Sequence, residues 1–411
     1  MKNRPDYLDT FNFLKSTINY EDDVIKIDPG TEVRNFTFRS ENFKILPGED
    51  SYICSEHNLI FNESDPYSNE VGIMENELDI ADSNVNENRV FRYHIFKPVK
   101  TVKAKNVVLL FHGFNEKQWF KYLPWAKEIC EKTGKTVVLF PIAFHMNRAP
   151  SAWSDKRLMF NASNERKKQF PNVINSTLSN VAISMRLHSK PQRFIWSGLQ
   201  TYYDTIQFIE ECRAGKHELI DEDFTIDFFT YSIGSLLAEI LMLTNYNGYF
   251  SNSKLCMFCG GAVFNRLSPV SKFILDSEAN VALYSYLVEH IDRHLKNEKR
   301  LRHSLSEMHA EGNNFHCMLD YKVMRTYREK LFQKMSGRIK AFTLEKDTVV
   351  PSYEIINTLQ GSGRNIPVPV KVFDFPYEYK HENPFPDLVS VRDEVNKSFC
   401  DVFGEICDYL K

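Results

Sequence analysis

The 411-residue sequence has no excess of basic charge. Its 51 Lys and Arg stand against 54 Asp and Glu, a formal net charge of −3. Sequence-independent binding to a phosphate backbone needs a surplus of cations, so nucleic acid is not an expected partner. No apolar run approaches the roughly 18–20 residues that span a bilayer, so no transmembrane segment is expected. The opening MKNRPDYLDTFNFLKST carries Pro5, Asp6 and Asp9 where a secretory leader would have an apolar core, and the expected location is cytoplasmic. Internal repeats and low-complexity tracts are missing. Residues 62–88 hold eight acidic side chains and neither Lys nor Arg. They lack the D-x-D-x-D-G pattern of a calcium loop and read as a solvated loop. The eight cysteines are scattered, which in a cytoplasmic chain suits buried thiols better than a disulfide framework. Aromatic residues, 13% of the chain, are too many for a disordered protein, and the length suffices for a full core.

What is present changes character after Arg89. Residues 1–88 show no regular alternation beyond strand character at Glu32–Phe43, and read as an N-terminal extension. From 89 to 411, apolar runs of strand length alternate with amphipathic stretches. Strands are predicted at 90–96, 107–111, 136–144, 224–230, 254–260, 338–344 and 368–375. Helices are predicted at Lys117–Lys132, closed by Gly134, and at Thr201–Cys212, Ser235–Asn245, Ser352–Leu359 and Asp387–Leu410. Strands alternating with helices imply an α/β fold with a mostly parallel sheet covered on both faces. Two connections, 145–223 and 261–337, are too long for simple crossovers and leave from the carboxyl ends of strands, where open α/β sheets place their sites. Lys272–Leu295, apolar at helical spacing, reads as a helical cap; an extra packing layer is the competing reading.

Chemistry concentrates at the junctions. In IDFFTYSIGSLLAEILML (226–243) an apolar strand runs straight into an apolar helix, with Thr230-Tyr231-Ser232-Ile233-Gly234 between. A serine there sits on a sharp turn with its hydroxyl held clear of the sheet. This junction resembles the G-x-S-x-G nucleophile elbow of the α/β-hydrolases, with Thr230 in place of the first glycine. His112-Gly113-Phe114-Asn115, after the strand 107–111, resembles the oxyanion-hole loop of the same superfamily. The resemblance implies oxyanion donors at the Phe114 and Ile233 amides and a structural role for His112. RIKAFTLEKDTVVP (338–351) resembles the strand and loop that deliver the acid. Asp347 is preferred to Glu345 because D-x-x-(V/I)-P is the form this loop commonly takes there. His381 follows the last strand, which completes the order Ser232, Asp347, His381 of that superfamily.

The resemblance covers about 89–260 and 338–411 and implies an α/β-hydrolase fold with helical insertions. It further implies a serine hydrolase of carboxylesterase or lipase type, cleaving an ester, thioester or amide of a small-molecule or acyl substrate through an acyl-enzyme. No metal or organic cofactor is implied. A serine hydroxyl needs a base within reach, and the base needs a carboxylate to fix its tautomer. A peptidase or acyltransferase on the same residues, or a non-catalytic binding protein that kept the fold, are the alternatives. In FHMNRAPSAW (144–153), after a strand end, Arg148 is a candidate partner for an acidic substrate group and Trp153 for a pocket wall; Tyr231 joins them as a substrate-binding candidate. His290 and His294 lack the H-E-x-x-H form and read as a solvated helix face. Cys256-Met257-Phe258-Cys259 lies inside a strand, which argues against redox chemistry. Gly134-Lys135-Thr136 and Gly361-Ser362-Gly363 read as turns.

Overall fold

The computed structural model describes residues 6–48, 51–62 and 81–411. In chain order the strands are β1 (Val24–Lys26), β2 (Thr31–Arg39), β3 (Ser51–Cys54), β4 (Leu59–Asn62), β5 (Val90–Pro98), β6 (Ala104–Phe111), β7 (Thr136–Leu139), β8 (Ile220–Tyr231), β9 (Leu255–Phe258), β10 (Ile339–Leu344) and β11 (Val370–Phe373). Nine form one sheet in the order β1-β2-β5-β7-β6-β8-β9-β10-β11, while β3 and β4 pair as a separate hairpin. From β7 to β11 every pairing is parallel, and β1, β2 and β5 extend that block with antiparallel pairings. The protein is thus a mixed α/β structure on a mostly parallel central sheet.

The central strands are apolar without alternation because both faces are covered. On β6, Val107, Leu109 and Phe111 pack into one layer, Val108 and Leu110 into the other. On β8, Ile226 and Phe228 face the first layer, Phe229 and Tyr231 the second. Helices Arg193–Arg213, Ile233–Thr244 and Ser352–Leu359 cover one face; Tyr7–Thr17, Tyr122–Thr133 and Arg392–Leu410 cover the other.

Several boundaries depart from expectation for local reasons. The helix expected from Lys117 starts at Tyr122, because Pro124 is tolerated only in a first turn. It closes on Gly134 in the left-handed conformation. β7 stops at Leu139, ahead of Pro141, which has no N–H to continue a ladder. The expected cap helix 272–295 is two helices, Ser277–Tyr284 and Ile291–Asn297, joined by a π-turn at Ser285–Glu289. The Asp276 carboxylate caps the first by accepting the Ala279 N–H at 3.0 Å, which sets its start.

Described residues of the N-terminal extension are built into the same body. β2 runs antiparallel to β5 along its whole length, from Thr31 opposite Pro98 to Arg39 opposite Val90. Helix Tyr7–Thr17 lies against the last helix, with the Tyr7 and Phe399 rings 4.6 Å apart. Most of the acidic stretch 62–88 lies outside the described residues. Its described end is not solvated: Asp82 is buried and pairs with Arg186 and, at 3.1 Å, with Arg193. The two long insertions are joined by a buried ion pair, Arg166 Nη2 to Asp276 Oδ1 at 2.9 Å. Among the described residues no helix is long and apolar enough to cross a membrane, and no disulfide joins the eight cysteines.

Candidate active site

Ser232 connects β8 to helix Ile233–Thr244, with φ 54° and ψ −124°. This strained backbone costs about 1–3 kcal/mol and is held by its surroundings. The Ser232 N–H donates to Phe258 O at 3.2 Å, and Ser235 N–H returns to Ser232 O at 2.9 Å. A Cβ at Gly234 would sit 2.8 Å from Phe111 O, His112 O and Phe111 Cβ, so the helix can approach β6 this closely only with glycine there. Thr230, where the resemblance suggests glycine, is still in the sheet, opposite Phe111 and Met257, and strand backbone accepts a β-branched residue. Its hydroxyl bonds Ser235 Oγ at 2.9 Å.

The three residues singled out from sequence converge. Ser232 Oγ donates to His381 Nε2 at 2.7 Å, and His381 Nδ1 donates to Asp347 Oδ2 at 2.7 Å. All three are buried. The other Asp347 oxygen accepts the Val349 and Val350 N–H groups, both at 2.9 Å, so the carboxylate is clamped by the turn that opens helix Ser352–Leu359. That is the physical content of the D-x-V-V-P run. Tyr379 links the two loops: its hydroxyl accepts from Lys346 N at 3.1 Å and donates to Asp374 at 2.8 Å.

His112 faces away from the serine. Its Nδ1 donates to Gly113 O at 2.7 Å and its Nε2 accepts the Ile142 N–H at 3.0 Å. Burial holds its pKa well below the ordinary imidazole value, and the nearby His145 lowers it further. It therefore works as a neutral brace between the loops after β6 and β7. The Gly113 N–H is taken by Tyr122 Oη at 2.8 Å, and Tyr122 in turn donates to Glu116 at 3.0 Å. Phe114 and Ile233 both border the cavity that reaches Ser232. Ile233 is the first residue of its helix, where N–H groups have no intrahelical acceptor.

Three narrow, largely apolar cavities share Phe114 and Phe194 as walls. The first, about 30 Å³, opens on Ser232 and is closed by Phe264, Ile274, Leu283 and Val349. The second, about 50 Å³, runs past Ile142, Leu236, Ile240 and Phe315. The third, about 30 Å³, reaches Phe144, Trp153, Ile183 and Leu187.

The structure corrects two substrate-binding candidates and relocates a third. Arg148 is fully buried, and four of its five N–H donors are taken within the fold. It bonds Asp204 at 2.7 Å, Pro141 O at 3.0 Å and Asn88 Oδ1 at 3.1 Å, and its guanidinium lies 4.1 Å from the Phe91 ring centroid. Tyr231 is also spent, on His381: its hydroxyl donates to His381 O and its ring stacks on the imidazole at 5.4 Å. Trp153 is buried, stacked on Phe144 and bordering the third cavity, away from the one that reaches Ser232. Sequence reading missed Gly260, where a Cβ would fall 2.6 Å from Ser232 O and 2.2 Å from Ser235 Oγ. It also missed Phe194. No motif marks either; a glycine just past a strand end was the one available sign.

A family model matches residues 5–411, so the chain belongs to that family, DUF6051, described as a family of unknown function. No curated protein matches it. Among solved structures, the esterase Est22 is similar at 14% identity over 97% of this chain and 86% of that one, TM-score 0.44. Carboxyl esterase 2 of the mycorrhizal fungus Tuber melanosporum is similar at 12% identity over 85% and 90%, TM-score 0.44. A thermostable esterase from Pseudomonas putida is similar at 11% identity over 94% and 86%, TM-score 0.42.

Proposed function

We propose that this protein is a serine hydrolase of α/β-hydrolase architecture that cleaves carboxylic esters, or the chemically related thioesters and amides, of apolar acyl groups. The observation that carries the reading is the hydrogen-bonded chain Ser232–His381–Asp347, with 2.7 Å at each link and the serine on a strained strand-to-helix turn. A structural serine does not need a buried histidine–carboxylate pair, nor a backbone strained to present its hydroxyl.

In this reading Ser232 Oγ attacks the acyl carbon as its proton passes to His381 Nε2. The carbonyl oxygen, now an anion, is held by the Phe114 and Ile233 amides. His381 returns the proton to the leaving group, and the acyl chain remains on Ser232. Water then attacks the acyl-enzyme as its proton passes to His381, which returns that proton to Ser232 Oγ as the acid departs. Asp347 holds the Nδ1–H tautomer and stabilises the imidazolium at each transfer. The apolar walls around Phe114 and Phe194 support an acyl group without charge.

The test is intact mass after exposure to a fluorophosphonate, with Ser232→Ala alongside. One adduct on the wild type, missing from the variant, is the expected result and justifies an ester panel of graded chain length. A folded wild type that takes no adduct and turns over no activated ester overturns the reading in favour of a binding protein on this fold.

A further inference from the structure

Away from the serine, four side chains with metal-ligand chemistry meet. Cys54 ends β3, and His57 lies in the turn before β4. His303 is near the end of helix Lys299–Ser304, and His309 immediately precedes helix Ala310–Cys317. One ligand atom from each lies within 4.8 Å of all the others. Cys54 Sγ is 3.5 Å from His57 Nδ1 and 3.5 Å from His309 Nε2, and His303 Nε2 is 3.0 Å from His309 Nε2. A tetrahedral zinc with Zn–S of about 2.3 Å and Zn–N of about 2.0–2.1 Å requires S···N edges of about 3.5 Å and N···N edges of about 3.3 Å. The Cys54–His57, Cys54–His309 and His303–His309 edges, at 3.5, 3.5 and 3.0 Å, are close to those of that polyhedron, and the remaining edges lie within 4.8 Å.

Ring orientation agrees. His303 and His309 stand at 90°, His57 and His309 at 81°, His57 and His303 at 88°, with centroids 4.6 to 5.0 Å apart. This edge-to-face packing leaves one ring nitrogen of each histidine within 4.8 Å of the Cys54 sulfur and of the other two. His309 also has the outer partner that a metal-bound histidine commonly has. Its Nδ1 faces Glu311 Oε1 at 3.0 Å, and Glu311 is held by the Tyr203 hydroxyl. An Nδ1–H donating to a carboxylate leaves the Nε2 lone pair directed at the cluster.

We propose that Cys54, His57, His303 and His309 form a structural zinc site. One thiolate and three imidazoles suit zinc and not calcium or magnesium. Four protein ligands, three of them buried and His57 half-buried, leave no open coordination position for catalysis. The ion ties the β3–β4 hairpin to the second insertion. Helix Ala310–Cys317, next to His309, carries Phe315 of the second cavity, so the ion also fixes a wall near the candidate active site. The proposal stands on this cluster and does not depend on the hydrolase reading.

The test is metal analysis of the full-length protein, purified without chelator, followed by cobalt exchange. About one zinc per chain is expected, and the cobalt form should show tetrahedral d–d bands with a thiolate-to-cobalt charge-transfer band. Cys54→Ser should lose the charge-transfer band. Glu311→Gln, which keeps all four ligands, should weaken zinc binding about 10–100-fold in a chelator competition. His290→Ala should change neither. A folded wild type that arrives without metal and takes up neither zinc nor cobalt overturns the proposal. So does zinc that stays at full stoichiometry in both Cys54→Ser and His309→Ala, or a cobalt spectrum lacking the thiolate band.

Discussion

The Tyr231 hydroxyl donates to the main-chain oxygen of His381, 150 residues further along the chain, while its ring stacks on the imidazole at 26°. The residue before the serine therefore positions the histidine that faces the serine. Lys121 reinforces this, with its ammonium 4.6 Å from the Tyr231 ring centroid and a hydrogen bond to Glu382 O at 3.0 Å. Tyr231→Phe keeps the stack and removes the tether. One such bond is worth about 1.4 kcal/mol, so kcat on an activated ester should fall about tenfold with KM unchanged. Equal activity in Tyr231→Phe would show that packing alone sets the histidine.

Asp347→Asn separates geometry from electrostatics. The asparagine Oδ1 can still accept the Val349 and Val350 amides, so the loop should stay folded. Its amide nitrogen, however, presents a donor to His381 Nδ1 and imposes the wrong tautomer. A drop in kcat of roughly 10⁴, with an unchanged circular dichroism spectrum, is expected. A loss below tenfold would remove Asp347 from the proposed mechanism.

Phe194 separates three cavities that are each too small for a long chain. Phe194→Ala should merge them and move the optimum of a p-nitrophenyl ester series toward longer acyl groups. The same truncation should lower stability by about 3–5 kcal/mol. An unchanged chain-length profile in folded variant protein would mean that acyl groups do not enter there.

Arg148→Ala should act on stability and leave selectivity alone. It strands the buried Asp204 carboxylate, which keeps only the Ser40 and Asn42 donors at 2.6 and 3.0 Å. Breaking a buried pair in this way costs about 3–5 kcal/mol. A thermal unfolding scan should show a large fall in Tm. Near-wild-type Tm with weakened turnover of acidic esters alone would reinstate Arg148 as a substrate contact.

Glu239 sits in the middle of helix Ile233–Thr244, fully buried, with neither carboxyl oxygen hydrogen-bonded. Burial holds its pKa well above the ordinary glutamate range, against a smaller opposing pull from Arg328. The folded protein keeps a proton there that the unfolded chain releases in that range. The group's contribution to stability therefore falls as pH rises, by up to about 1.4 kcal/mol per pH unit. Glu239→Gln should match the wild type near pH 4.5 and exceed its Tm by a widening margin toward pH 8. A margin independent of pH would mean that Glu239 is ionised in the fold.

The alternation of strands and helices, the elbow, the acid loop and the late histidine were legible because each depends on neighbours within a few residues. An apolar run bounded by Gly or Pro reads as a covered strand wherever it later pairs. Asp347 was readable through the resemblance of its D-x-x-(V/I)-P run, which is local because the amides that bind the carboxylate lie two and three residues away. Arg148 was misread for the opposite reason. A charged residue near a strand end looks available until Asp204, Asn88 and Phe91 close around it, and nothing local records those partners.

By itself, the sequence determined the strand–helix succession, the order of serine, acid and histidine, and the apolar character of both sheet faces. These follow from periodicity, turn chemistry and the residues allowed at sharp bends. Tertiary structure alone decided the 2.7 Å contacts, the entry of β1 and β2 into the main sheet, the partition of the cavity by Phe194, and the meeting of Cys54 and His57 with His303 and His309. Each joins segments far apart in the chain, where contact depends on how helices and sheet pack, and packing leaves no local pattern to read.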